Sequence, residues 1–202
     1  MVQTLLVEGT DDQHVVWNLL KHHKFPEVFK VEESKGVDAL LNSFPVHIKG
    51  SEVKSIGIIL DADLDLKGRW NAVRSRIVKL GYNPPAEMPT DGLVLTPEEM
   101  PRFGAWMMPD NSLPGMLEDF VGYLVPPGDA LWSHADSVIG KMPEGLAGFS
   151  INHKCKAHIH TWLAWQKDPG TPMGLAITKN YLDAESPQTG PFLDWLKRLF
   201  VD

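Results

Sequence analysis

Apolar runs and helically spaced apolar positions alternate along the first half of this chain. Residues 3–8 form a short apolar run that ends in Glu8, and residues 55–61 form a longer one that ends in Asp61. A strand covered by helices on both faces reads as such an unbroken run. After the first run, Val15, Val16, Leu19 and Leu20 lay an apolar stripe along a helix over 11–23, with Thr10 or Asp11 as its cap. Pro26 closes that segment, residues 28–33 alternate as a second strand, and Lys35-Gly36 turns the chain. Val37, Leu40, Leu41 and Phe44 share one face of a helix over 37–49. The third strand, 55–61, leads into a helix over 65–80 whose stripe is Trp70, Val73, Ile77 and Leu80, closed by Gly81 and Pro84-Pro85. This β-α-β-α-β-α order predicts a parallel sheet with right-handed crossovers.

Beyond residue 84 the pattern is less regular. Residues 84–91 read as a loop, and 92–95 and 103–108 as short strands, the second joining the sheet. Pro109-Asp110-Asn111 is a turn signal. A helix over 115–124 carries Leu117-Glu118-Asp119-Phe120, and Pro126-Pro127-Gly128 breaks it. Further helices are predicted over 131–141, 152–166, 173–181 and 190–200, with a loop at 145–150. Trp162, Trp165 and Trp195 read as packing anchors of this last part, because large aromatics carry core area first. The expected architecture is α/β. A sheet of about four strands sandwiched by helices occupies 1–125, and a helical extension over 126–202 packs on it.

Composition narrows the class. With 202 residues, 43% of them hydrophobic, the chain can build one sizeable core. Its formal net charge of -7 repels phosphate backbones at long range. Tight non-specific binding of nucleic acid by this chain alone is therefore not expected, unless a local basic patch or a metal reverses the sign. Cys155 is the sole cysteine, so no internal disulfide forms, which fits a reducing cytosol. No signal-peptide pattern follows Met1, and no apolar run approaches the ~20 residues of a membrane helix. A cytoplasmic protein with no membrane association is expected.

The chemistry concentrates where the first and third strands end. Glu8-Gly9 closes the first, and Asp12 follows across the strand-to-helix turn, so both carboxylates could reach one ion. Glycine there allows a tight turn and leaves room beside the carboxylate. The bland alternative is an acid-rich helix N-terminus, which the helix dipole favours. Asp61-Ala62-Asp63 closes the third strand; alternate residues of an extended strand face one side, so both carboxylates point together. Asp65 extends the alternation, either as a third ligand or as the cap of the next helix. If the two strands are neighbours, these carboxylates crowd into one pocket and cannot all ionise without a cation. Oxygen ligands suit Mg²⁺ or Mn²⁺. His153, His158 and His160 could suggest zinc, but structural or surface histidines are the better reading, and His22-His23 at a helix end fits dipole compensation.

A strand ending in Glu8-Gly9, then α/β units, then an apolar strand ending in Asp61-Ala62-Asp63, resembles the Toprim domain of topoisomerases, bacterial primases and OLD-type nucleases. The second acid, Asp12, looks most like the OLD-type branch. Met108-Pro109-Asp110-Asn111 and Leu117-Glu118-Asp119-Phe120 look like a family of short standalone Toprim proteins, and the resemblance covers residues 3–125. It implies that Glu8 is a general acid/base or a metal ligand, that Asp61 and Asp63 bind Mg²⁺, and that Asp12 is a further ligand. It also implies another acid and a lysine further along. Glu118 fits the acid by order, with capping or solvation of its helix as the alternative. Lys156 is the choice for the lysine, with a solvated face as its alternative.

The leading expectation is a Mg²⁺- or Mn²⁺-dependent nuclease or related phosphotransfer enzyme acting on nucleic acid, DNA ahead of RNA. Two divalent ions about 4 Å apart would activate water, neutralise the phosphoryl oxygens and help the leaving oxygen. OLD-type nucleases are usually coupled to an ATPase. No Walker A pattern occurs here, so such a partner would be separately encoded, and self-association is compatible with the sequence. The alternative is a metal-binding interaction module of a multi-protein defence or repair complex, inactive alone. A small-molecule phosphohydrolase is a third and weaker option.

Overall fold

In the computed structural model every residue except Glu144 is described. Five strands form one sheet in the order β2-β1-β3-β5-β4. They are β1 (Val2–Val7), β2 (Lys30–Glu33), β3 (Val53–Asp61), β4 (Leu93–Leu95) and β5 (Arg102–Met108). β1 pairs in parallel with β2 and with β3, and β3 pairs in parallel with β5. β4 is antiparallel to β5, so the expected parallel sheet of about four strands carries a fifth, antiparallel edge.

Alternation along the strands divides the interior in two. Leu5, Val7, Ile59, Trp106 and Met108 face one layer, with α1 (Thr10–His22), α4 (Leu117–Gly122), α6 (Lys154–Ala164), α7 (Met173–Thr178) and α8 (Thr189–Phe200). Leu6, Ile56, Ile58, Leu60, Ala105 and Met107 face the other, against α2 (Val37–His47) and α3 (Leu66–Lys79). A further helix, α5 (Ala130–Gly140), packs beside α6.

The C-terminal helices thus complete one side of the sheet and share its core. Phe192, Trp195, Leu196, Leu199 and Phe200 of α8 sit in one cluster with Leu5 and Trp106. Close approach is possible because β3 and β5 carry glycine beneath the helix. A Cβ at Gly57 would lie 2.8 Å from Leu199, and one at Gly104 would lie 2.5 Å from it. Arg102 of β5 donates to the carbonyls of Arg198 and Leu199, each at 3.1 Å, satisfying acceptors left free at the helix end. Trp162 and Trp195 are the expected anchors, at 1% and 0% exposure. Trp165 is not, at 39% exposure, because α6 ends at Ala164 and the tryptophan follows as its C-cap. Among the described residues no helix is long and apolar enough to cross a membrane.

Candidate functional site

β1 and β3 lie side by side, with Leu5 opposite Gly57 and Leu6 opposite Ile58. The chain leaves β1 towards β2 on one side, while β3 neighbours β5 on the other. In open α/β sheets the crevice at such a switch point, beyond the carboxyl ends of the strands, is where ligands bind. Glu8 follows β1 directly, and its Oε1 accepts the backbone N–H of Asp61, the last residue of β3, at 2.8 Å.

Two helix starts complete the ring. Gly9 is the N-cap of α1, and its N–H donates to Asp12 Oδ2 at 3.1 Å, so the acid at the third helical position caps in place of Thr10 or Asp11. Gly9 is extended (φ -143°), and a Cβ there would meet only Asp12 Oδ2 at 3.5 Å; the tight-turn role expected for it is not needed. α4 starts the same way, Met116 N–H donating to Asp119 Oδ2 at 2.8 Å. Its first residue, Leu117, donates its N–H to Asp61 Oδ1 at 2.9 Å. Glu118, next along, is buried at 4% exposure, and its Oε1 holds the Lys156 Nζ at 3.0 Å. Glu118 therefore faces inward while Asp119 does the capping. Lys156, half exposed on α6, reaches back from the surface to this carboxylate.

Glu8, Asp12, Asp61, Glu118 and Lys156 line one cleft of about 650 Å³, with Thr10, Asp11, Glu33 and Lys35 at its edge. Burial pushes the Asp61 carboxyl up to about 9, and the charges of Asp12, Glu8 and Glu118 add to the effect. Burial likewise pushes Asp12 up to about 7, helped by Glu8. Glu8 is raised by burial too, against the opposing N–H of Asp61 and the charge of Arg69. Partial burial works against the charge on Lys156. The hydrogen bond and charge of Glu118, with Asp61 and Asp11, outweigh it and hold the ammonium above its ordinary range. At neutral pH the cleft therefore retains protons that a cation could replace.

Asp63 and Asp65 fall outside this cleft, which corrects the expected alternation. β3 ends at Asp61, and Asp63 adopts φ 51°, so residues 61, 63 and 65 are not one extended segment. Asp63 pairs with Arg69, and Asp65 caps α3 by accepting the Gly68 N–H at 2.8 Å. Both line a larger neighbouring cavity of about 840 Å³, with Arg69, His153, Lys154 and His158. The carboxylates raised by burial lie in the smaller cleft. Asp63 is still close enough for its charge to raise Glu8.

Other motifs have structural roles. Asp110 accepts the N–H groups of Ser112 and Leu113, each at 2.9 Å, and Asn111 Oδ1 accepts the buried Met107 N–H at 2.7 Å, so this turn ties down the end of β5. His158 stacks on Trp132 with ring centroids 3.5 Å apart. No local pattern marks Arg69 as the partner of Asp63, nor Glu185, which reaches both His22 and His23.

All donors in the carboxylate cleft are oxygens, the set that Mg²⁺ or Mn²⁺ prefers. Among the described residues, only His22, His23 and Glu185 bring three metal-binding atoms within 4.8 Å of one another. No three of the cleft carboxylates come that close together. Over residues 2–201 the sequence matches the family described as "Protein of unknown function (DUF3226)", and the chain belongs to it. No curated protein and no solved structure matches it.

Proposed function

We propose that this DUF3226 protein is a divalent-metal-dependent nuclease, or a related phosphotransfer enzyme of Toprim type, acting on nucleic-acid phosphodiesters. One observation carries the reading: the hydrogen bond from the Asp61 backbone to Glu8 across adjacent strand ends, with Asp12 and Glu118 facing the same cleft. The Glu-Gly and Asp-x-Asp resemblance points the same way. Glu8, Asp12, Asp61 and Glu118 would hold Mg²⁺ or Mn²⁺. Bound there, such ions would activate water and neutralise the phosphoryl oxygens. Asp61 and Asp12 would have to be ionised to serve as ligands, and the backbone N–H groups of Leu117 and Gly9 hold each carboxylate in place. Lys156 keeps its ammonium beside Glu118, in reach of negative charge developing in the cleft. Asp63 and Asp65 serve the wall, through Arg69 and α3.

A second reading has its own support. The cleft is lined by six carboxylates, Glu8, Asp11, Asp12, Glu33, Asp61 and Glu118, against two lysines, Lys35 and Lys156. With a net charge of -7, this favours a metal-binding module that needs a separately encoded partner, such as an ATPase, to engage nucleic acid. The test is cleavage of plasmid, single-stranded DNA and RNA with Mn²⁺, comparing wild type with Asp61→Asn. Cleavage by wild type alone, at least about tenfold above the variant, supports the enzyme. Equal activity in both removes the cleft from the chemistry. Mn²⁺ binding without turnover favours the module.

A further inference from the structure

We propose that His22, His23 and Glu185 form a zinc-binding site at the C-terminal end of α1. α1 runs from the carboxylate cleft to this point, about 18 Å along its axis, so the two sites are separate. His22 Nε2 lies 2.8 Å from Glu185 Oε1, and His23 Nδ1 lies 3.9 Å from the same oxygen.

The tautomer of His23 follows from its other contact. Its Nε2 is 2.9 Å from the carbonyl oxygen of Ala184, which can only accept, so Nε2 carries the proton. The Nδ1 lone pair is left facing a carboxylate oxygen, two acceptors with no proton between them. A proton or a metal ion between them resolves that opposition. An imidazole fixed by a backbone carbonyl through its far nitrogen is also the arrangement that orients histidine ligands in metal sites. The ligand atoms of a tetrahedral zinc ion sit about 3.3 Å apart, and the two observed spacings bracket that value. The free carbonyls at the end of α1 add negative potential. Two imidazoles and a carboxylate suit Zn²⁺ over Mg²⁺ or Mn²⁺, leaving a fourth position for water. Binding would displace the hydrogen bond between His22 Nε2 and Glu185 and would take both imidazoles as neutral ligands.

The bound ion would tie α1 to the segment that leads into α8, linking residues that are 163 apart in sequence. Compensation of the helix dipole alone accounts for a histidine at this end, but it requires neither Glu185 nor a response to zinc. The experiment uses the full chain and Zn²⁺ alone, followed by calorimetric titration and thermal unfolding. Wild type is expected to bind one equivalent at this site, besides any taken by the carboxylate cleft, and, at a hundredfold excess over Kd, to gain about 5–10 °C in Tm. Glu185→Gln and His22→Ala are each expected to weaken binding at least about tenfold and to remove most of the gain. Asp61→Asn is expected to leave Zn²⁺ binding intact. Co²⁺ visible spectra on wild type and Glu185→Gln provide a readout independent of folding. Equal Zn²⁺ affinity in wild type and Glu185→Gln, loss of binding in Asp61→Asn, or no gain in Tm would each overturn the site.

Discussion

Asp61 carries most of the electrostatic burden of the cleft. Its carboxyl is raised to about 9 and that of Asp12 to about 7, both mainly by burial. In the unfolded chain each returns to its ordinary value of 3.8. The folded state therefore keeps protons that the unfolded state has already lost. Their contribution to stability without metal is fully present below about 4 and is lost as pH rises through about 7 and about 9. Chemical denaturation from pH 5 to pH 9 in the presence of chelator checks the sign, and a rise over that interval would contradict it. Asp61→Asn removes the titrating charge while keeping an acceptor for Leu117. Without metal, the variant is expected to exceed wild type by about 1–3 kcal/mol at pH 8 and to lose Mn²⁺ binding. Equilibrium unfolding and calorimetry measure the two effects. At this scale the sequence reading put Glu8, Asp12 and Asp61 in one place, because neighbouring parallel strands bring their carboxyl ends side by side. It misled about Asp63, because φ 51° breaks the strand two residues early and hands that carboxylate to Arg69. The pairing of Glu118 with Lys156 was invisible, because it joins helices far apart in sequence.

Among the elements, the parallel neighbours β1 and β3 make the site, and the starts of α1 and α4 trim it. The helical stripes of α1, α2 and α3 were legible from spacing, since tertiary packing there agrees with local periodicity. The antiparallel pairing of β4 with β5 was not legible, because three residues carry too little pattern to set a direction. The glycines under α8 were also silent in the sequence, although they decide how closely that helix lies on the sheet. Gly104→Ala would press a methyl group into Leu199 and is expected to cost about 1–3 kcal/mol, measured by denaturant unfolding. No change in stability would mean that α8 rides higher than described.

For the molecule as a whole, residues 126–202 supply one side of the core. Leu5, Val7 and Trp106 share one cluster with α8, and α7 lies on α1, where a Cβ at Gly174 would sit 2.7 Å from the His14 backbone. A chain cut after residue 125 leaves that face of the sheet covered only by α1 and α4. It is expected to lose cooperative thermal unfolding by circular dichroism; retention of a sharp transition would show that the N-terminal part folds alone. Read by sequence, the C-terminal helices were visible as helices, but not as the second layer over β3 and β5, since nothing local marks which face of a sheet a distant helix covers. The same layer presents Lys156 to the cleft, so fold and proposed chemistry depend on one packing arrangement.

The central claim is that carboxylates from two neighbouring strand ends and two helix starts share a divalent ion. Anomalous diffraction from crystals soaked in Mn²⁺ tests it most directly. The account predicts manganese peaks bounded by Glu8, Asp12, Asp61 and Glu118, lost in Asp61→Asn. Manganese bound elsewhere while that cleft shows no peak would contradict it.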